Sequence, residues 1–119
     1  VSVDPNPTGL VTVWYAGMNQ HDQPCTVLVR ASASLAAQVA RDLRAAKPVA
    51  DDVVYCAADD GSQVTLYFTY ANHSKAQVAT LSLRGCSSIY AAGRTARQPG
   101  NVMDDLLPLQ PTQFNNPGH

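Results

Sequence analysis

The chain is expected to fold as an α+β domain: an antiparallel β-sheet of four or five strands with one main α-helix packed on a face, in the order ββαββ(β)(α). Three observations lead there. The run "QVTLYFTY" alternates, with Val64, Leu66, Phe68 and Tyr70 on one side and Gln63, Thr65, Tyr67 and Thr69 on the other, the two-residue period of a half-buried strand. In "SASLAAQVARDLRAAKP", Leu35, Val39 and Leu43 recur every fourth residue while Gln38, Arg41 and Arg44 fall elsewhere on the wheel, which is helical spacing. Between "QVTLYFTY" and the next apolar run lies "ANHSK", a turn composition that folds two strands back on each other.

The elements follow in order. Residues 1–9, "VSVDPNPTG", read as a flexible lead, residues 10–109 as the single domain and residues 110–119 as a flexible tail. "LVTVWYA", Leu10 to Ala16, is rich in β-branched and aromatic residues and stops at Gly17, so it reads as a strand. "GMNQHDQP" is the loop to a second strand, "CTVLVRA", Cys25 to Ala31. The helix comes next, with Ser32 or Ser34 as its cap, Arg44 and Lys47 at the negative end of its dipole and Pro48 as its stop. "VADDVVYCAADDGS" is a connection, extended at Val53 to Tyr55. In "AQVATLSLRG" the apolar phase shifts between Val78 and Leu81, which predicts a β-bulge at Ala79 or Thr80. "SSIYAAG" is the candidate last strand, and "NVMDDLLPL" a short helix capped by Asn101.

Composition narrows the function classes. At 119 residues the chain has room for one core. The net charge is −1 with Lys and Arg scattered, so no basic stripe answers a phosphate backbone and nucleic acid is not an expected partner. The apolar runs are far shorter than a bilayer span. All nine acidic residues are Asp. The start at Val1 without methionine is read as the result of signal-peptide removal or of trimming, and the expected location is secreted or cell-surface, lipid anchoring included.

Cys25, Cys56 and Cys86 form no CxxC or HxxxH pair, so zinc is not expected. One disulfide and one leftover thiol is the simpler account. In an oxidising compartment a Cys56 to Cys86 bridge would close a loop of about thirty residues, worth roughly 3 to 4 kcal/mol through chain entropy.

The candidate sites each have a plainer reading beside them. Asp51, Asp52, Asp59 and Asp60 offer carboxylates within ten residues, yet lack the D-x-D-x-D-G order of a calcium loop and read as solvated acidic turns. His21, Asp22 and Cys25 could make a thiol site, but Cys25 opens an apolar strand and reads as packing. His73 lies in "NHS", formally a glycosylation acceptor and otherwise a turn. No Ser/His/Asp triad, Gly-rich phosphate loop or HExxH occurs, so no catalytic, metal or cofactor residue is assigned. Trp14 and Tyr15 are adjacent on a strand and face opposite ways. Tyr15 with Tyr67 is the candidate exposed aromatic face, a platform for sugar or protein.

Cys56 and Cys86 bracketing "QVTLYFTY" and "QVATLSL" give an order and interval that resemble the bacterial subtilisin-inhibitor family over Leu10 to Cys86. The chain is also similar to uncharacterised secreted or lipid-anchored bacterial domains. The inhibitor resemblance implies a small secreted protein whose bridge ties the reactive segment to the far end of the following hairpin. It makes Tyr55, Ala57, Ala58, Asp59, Asp60 and Gly61 the partner-binding loop, with Ala58 in the specificity position. The chain departs from that family in the turn sequence "ADDG" and in lacking the cysteine of a second bridge. The expected function is binding without catalysis, protease-inhibitor-like, with a protease or an envelope component as partner. The alternative is a structural or ligand-binding module of the cell envelope that uses the exposed sheet face, and a small hydrolase ranks behind both.

Overall fold

A computed structural model describes residues 3–15, 26–45, 62–72, 75–82, 88–91, 94–97 and 100–111. Its elements are β1 (Gly9–Tyr15), β2 (Thr26–Ala31), α1 (Ala33–Arg44), β3 (Gln63–Thr69), β4 (Gln77–Ser82), β5 (Ser88–Ala91), β6 (Arg94–Arg97) and α2 (Gly100–Leu106), which runs into a 3₁₀ turn at Leu107–Leu109. The six strands form one sheet in the order β2-β1-β3-β4-β5-β6, with every neighbouring pair antiparallel. The α+β class, the main helix and the order of the first five strands match the sequence expectation. The sheet is wider than expected by β6, whose four residues are too few to show a period.

Alternation decides which face of the sheet is covered. Leu10, Thr12 and Trp14 of β1, Val64, Leu66 and Phe68 of β3, and Ala79 and Leu81 of β4 are all buried. Their register partners lie on the same side because residues paired across strands share a face. The apolar stripe of α1, Ala36, Val39, Ala40 and Leu43, closes over them. Val102 and Leu106 of α2, four residues apart and hence on one helical face, join the same core. Val27, Val29 and Ala31 of β2 and Leu109 of the 3₁₀ turn pack at its margin. Both helices thus serve a single side, the inner face.

Helix α1 starts where its cap can act. Ser32 has extended backbone and its hydroxyl accepts from the Leu35 amide at 3.2 Å, which satisfies one of the unpaired N–H groups of the first turn. Arg41 and Arg44 lie in the last turn, where positive charge suits the carbonyl end of the dipole. Asn101 does not cap α2: the helix begins at Gly100 and includes Asn101.

The expected β-bulge in β4 is absent. Its register against β3 runs unbroken from Gln63↔Ser82 to Phe68↔Gln77. The apparent phase shift arises because Val78 points outward, 42 % exposed, while Ala79 and Leu81 point inward. An apolar residue on the open face mimics a slipped strand when sequence alone is read.

The lead is built into the fold from residue 3 onward. Val3 is 2 % exposed within the core. The Asp4 amide donates to Gln77 Oε1 at 2.7 Å, and Gln77 Nε2 returns a bond to the Asp4 carboxylate at 3.0 Å. The Tyr70 hydroxyl donates to the Asp4 carbonyl at 2.8 Å. Burial, and after it the Asp4 charge, raises the Tyr70 pKa. Asn6, at φ 64°, supplies the left-handed turn that Asn tolerates better than most residues. The Thr8 amide then donates to the Thr69 carbonyl at 2.7 Å and leads into β1.

Candidate functional site

The side of the sheet away from the helices carries the candidate surface. Register places its side chains in rows across β2, β1, β3 and β4. One row is Arg30, Val11, Tyr67 and Val78; the next is Leu28, Val13, Thr65 and Thr80; the third is Thr26, Tyr15, Gln63 and Ser82. Leu28 is 58 % exposed, Val78 42 % and Tyr67 37 %, while Val11, Val13, Tyr15, Thr65 and Thr80 are half-buried between neighbouring strands. Tyr67 and Val78 are direct cross-strand partners, so their apolar surfaces adjoin.

The expected aromatic pair is therefore split. Tyr15 and Tyr67 do share this face, but Tyr67 pairs with Val11 and Tyr15 with Gln63. Four residues separate the two rows, roughly 13 Å along the strand. The neighbours of Tyr67 are aliphatic: Val78 and Val11. Sequence reading missed Val78 and Leu28 as surface residues. The signal was present in both, since strict alternation puts Leu28, between Val27 and Val29, outside, and likewise Val78, two residues before Thr80 and out of phase with Ala79 and Leu81.

The chemistry of this face is apolar with hydroxyls. The Thr65 and Thr80 hydroxyls lie 3.4 Å apart and can bond each other or a ligand. Arg30 is the one formally charged residue in these four strands. A partner would bury aliphatic and aromatic surface here and could place a carboxylate against Arg30 at the rim.

The loop candidates Tyr55, Ala57, Ala58, Asp59, Asp60 and Gly61 lie outside the described residues, as do Cys25, Cys56 and Cys86, the acidic residues Asp51 and Asp52, and His21, Asp22 and His73. Among the described residues no group of three or more His, Cys, Asp or Glu side chains comes together. Nor is any described helix long and apolar enough to cross a membrane. No protein-family model, curated protein or solved structure matches this chain.

A second polar cluster sits between the helices, on the other side of the molecule's sheet. Asp105 of α2 is 9 % exposed, and its Oδ1 accepts from Gln38 Nε2 of α1 at 2.5 Å. Asp42 stands one helical turn beyond Gln38 on the same stripe of α1. The Asp105 carboxyl is pushed up to about 6, first by burial and next by the neighbouring Asp42 carboxyl, against the opposing pull of Gln38 and the Arg41 charge.

Proposed function

We propose that this protein is a binding domain working outside the cytoplasm, and that it holds a protein partner against the outer face of β2, β1, β3 and β4. The observation that carries this reading is the placement of Leu28, Tyr67 and Val78, three large apolar side chains more than a third exposed, on one side of one sheet. Single exposed apolar residues are ordinary, but Tyr67 paired with Val78, with Leu28 on the same face and hydroxyls and one arginine around them, is the composition of an interface centre and its rim. Acid–base or nucleophilic chemistry would need a different set of side chains. Of the two expected binding modes, the sheet face is favoured because Tyr67 and Val78 pair directly across β3 and β4 and both leave apolar surface exposed.

The test is peptide selection from a random display library. Peptides enriched on wild-type protein should be lost on the triple variant Leu28→Asp, Tyr67→Ala, Val78→Lys, whose thermal midpoint should stay near that of the wild type. Retention of the same peptides by the triple variant would refute the assignment. Stoichiometric inhibition of a subtilisin-like or trypsin-like protease, unaffected by the triple variant, would move the function to Tyr55–Gly61.

A further inference from the structure

The cluster between α1 and α2 has an unbalanced hydrogen-bond inventory. Asp105 Oδ1 is served by Gln38, whereas Oδ2 is buried and receives no bond from any N–H or O–H among the described residues. A buried carboxylate oxygen without a donor is costly, because burial removes its water and nothing replaces it. Asp42, the group within hydrogen-bonding reach, is itself a carboxyl. Two ionised carboxylates only accept, so they offer each other nothing and repel. One proton between them removes both defects: Oδ2 becomes a donor, and Asp42 becomes its acceptor.

We propose that the α1–α2 contact is a proton-dependent latch in which Asp105 Oδ2–H donates to the Asp42 carboxylate, and that α2 loosens from α1 when this proton leaves to solvent. No other atom changes hands. Among the described residues the charged groups around the latch are few. From α1 come Asp42, the acceptor, and Arg41, whose charge favours the ionised state. On α2 the remaining acid is Asp104, which is exposed. The 3₁₀ turn packed against α2, Leu107-Pro108-Leu109, contributes no titratable side chain.

The latch holds a small element. Helix α2 has seven residues, too short to persist on its own, and it is kept in place by Val102 and Leu106 in the core and by the Gln38–Asp105–Asp42 link. Local opening of so short a helix is where a modest electrostatic change becomes visible. With Asp105 titrating near 6 when closed and near 4 when open, the closed state is favoured below that window and loses ground through it. The latch is independent of which surface meets a partner.

Two measurements test it on the intact chain. Carbon-13 titration of the Asp105 carboxyl in wild-type protein should show a midpoint well above that of an ordinary aspartate. Amide exchange of Met103 to Leu106, corrected for intrinsic rates, should lose about tenfold in protection between about pH 5 and pH 7. Asp105→Asn keeps a donor toward Asp42 and an acceptor toward Gln38, so its α2 protection should be flat over that range. Asp42→Asn removes the repelling charge and should make the loss of protection smaller, which serves if the first variant folds poorly. An Asp105 midpoint near 4, or an unchanged loss of protection in either folded variant, would overturn the latch.

Discussion

Thr12 sits fully buried in the core, its hydroxyl donating to the Val29 carbonyl at 2.8 Å and accepting from the Trp14 indole N–H at 2.9 Å. One side chain therefore joins β1 to β2 and gives the largest core residue its acceptor. Thr12→Val keeps the shape but removes the acceptor, and should cost about 1–3 kcal/mol in urea unfolding with little change in the slope. Tyr70→Phe loses the bond to the Asp4 carbonyl and should cost about 1 kcal/mol. It should also raise exchange at the Asp4 amide, because the lead would lose its tie to Tyr70. Thr12 was readable as an inward position from the alternation of "LVTVWYA". Its bonding to Val29 was not, since seventeen residues separate the two.

The main helix is the element whose start was clearest beforehand; its expected stop, Lys47 and Pro48, lies outside the described residues. Its stripe of Leu35, Val39 and Leu43 is written at intervals of four, and the Ser32 cap is a local interaction three residues long. Ser32→Ala should destabilise the protein by about 1 kcal/mol, and Ser32→Asp should recover most of that. Strand β4 gave the opposite outcome. Val78 opposite Tyr67 is apolar on an open face, and an apolarity pattern cannot distinguish this from a slipped register. Val78→Thr should leave stability within about 0.5 kcal/mol, whereas Phe68→Ala, fully buried in the partner strand, should cost about 3–5 kcal/mol. A similar cost at both positions would contradict the assignment of faces.

At the scale of the molecule, the described helices cover one face of the sheet, which separates the core from the exposed side chains. The inner face holds the core under α1 and α2, and the outer face is left with Leu28, Tyr67 and Val78 exposed, so substitutions at these three positions should leave the domain folded. The helix pair adds a pH dependence of definite sign. Asp105 holds its proton to a higher pH folded than unfolded; its contribution is thus fully present below about pH 4, falls as pH rises through about 6 and then levels off. Thermal midpoints should accordingly drop for the wild type relative to Asp105→Asn between about pH 4 and pH 7. Equal pH profiles for the two proteins would exclude that contribution.

Periods of two and four residues are local properties of a chain, and they sufficed for the α+β class, the main helix, and the inward and outward sides of β1 and β3. The partners of those sides were beyond reach of the same reading. That Tyr67 meets Val78 and Val11 instead of Tyr15, that Val3 returns to the core, and that Gln38 and Asp105 meet across sixty-seven residues all depend on register and on how distant elements dock. Such contacts are selected by the summed packing of many residues at once, so no short stretch of sequence contains them.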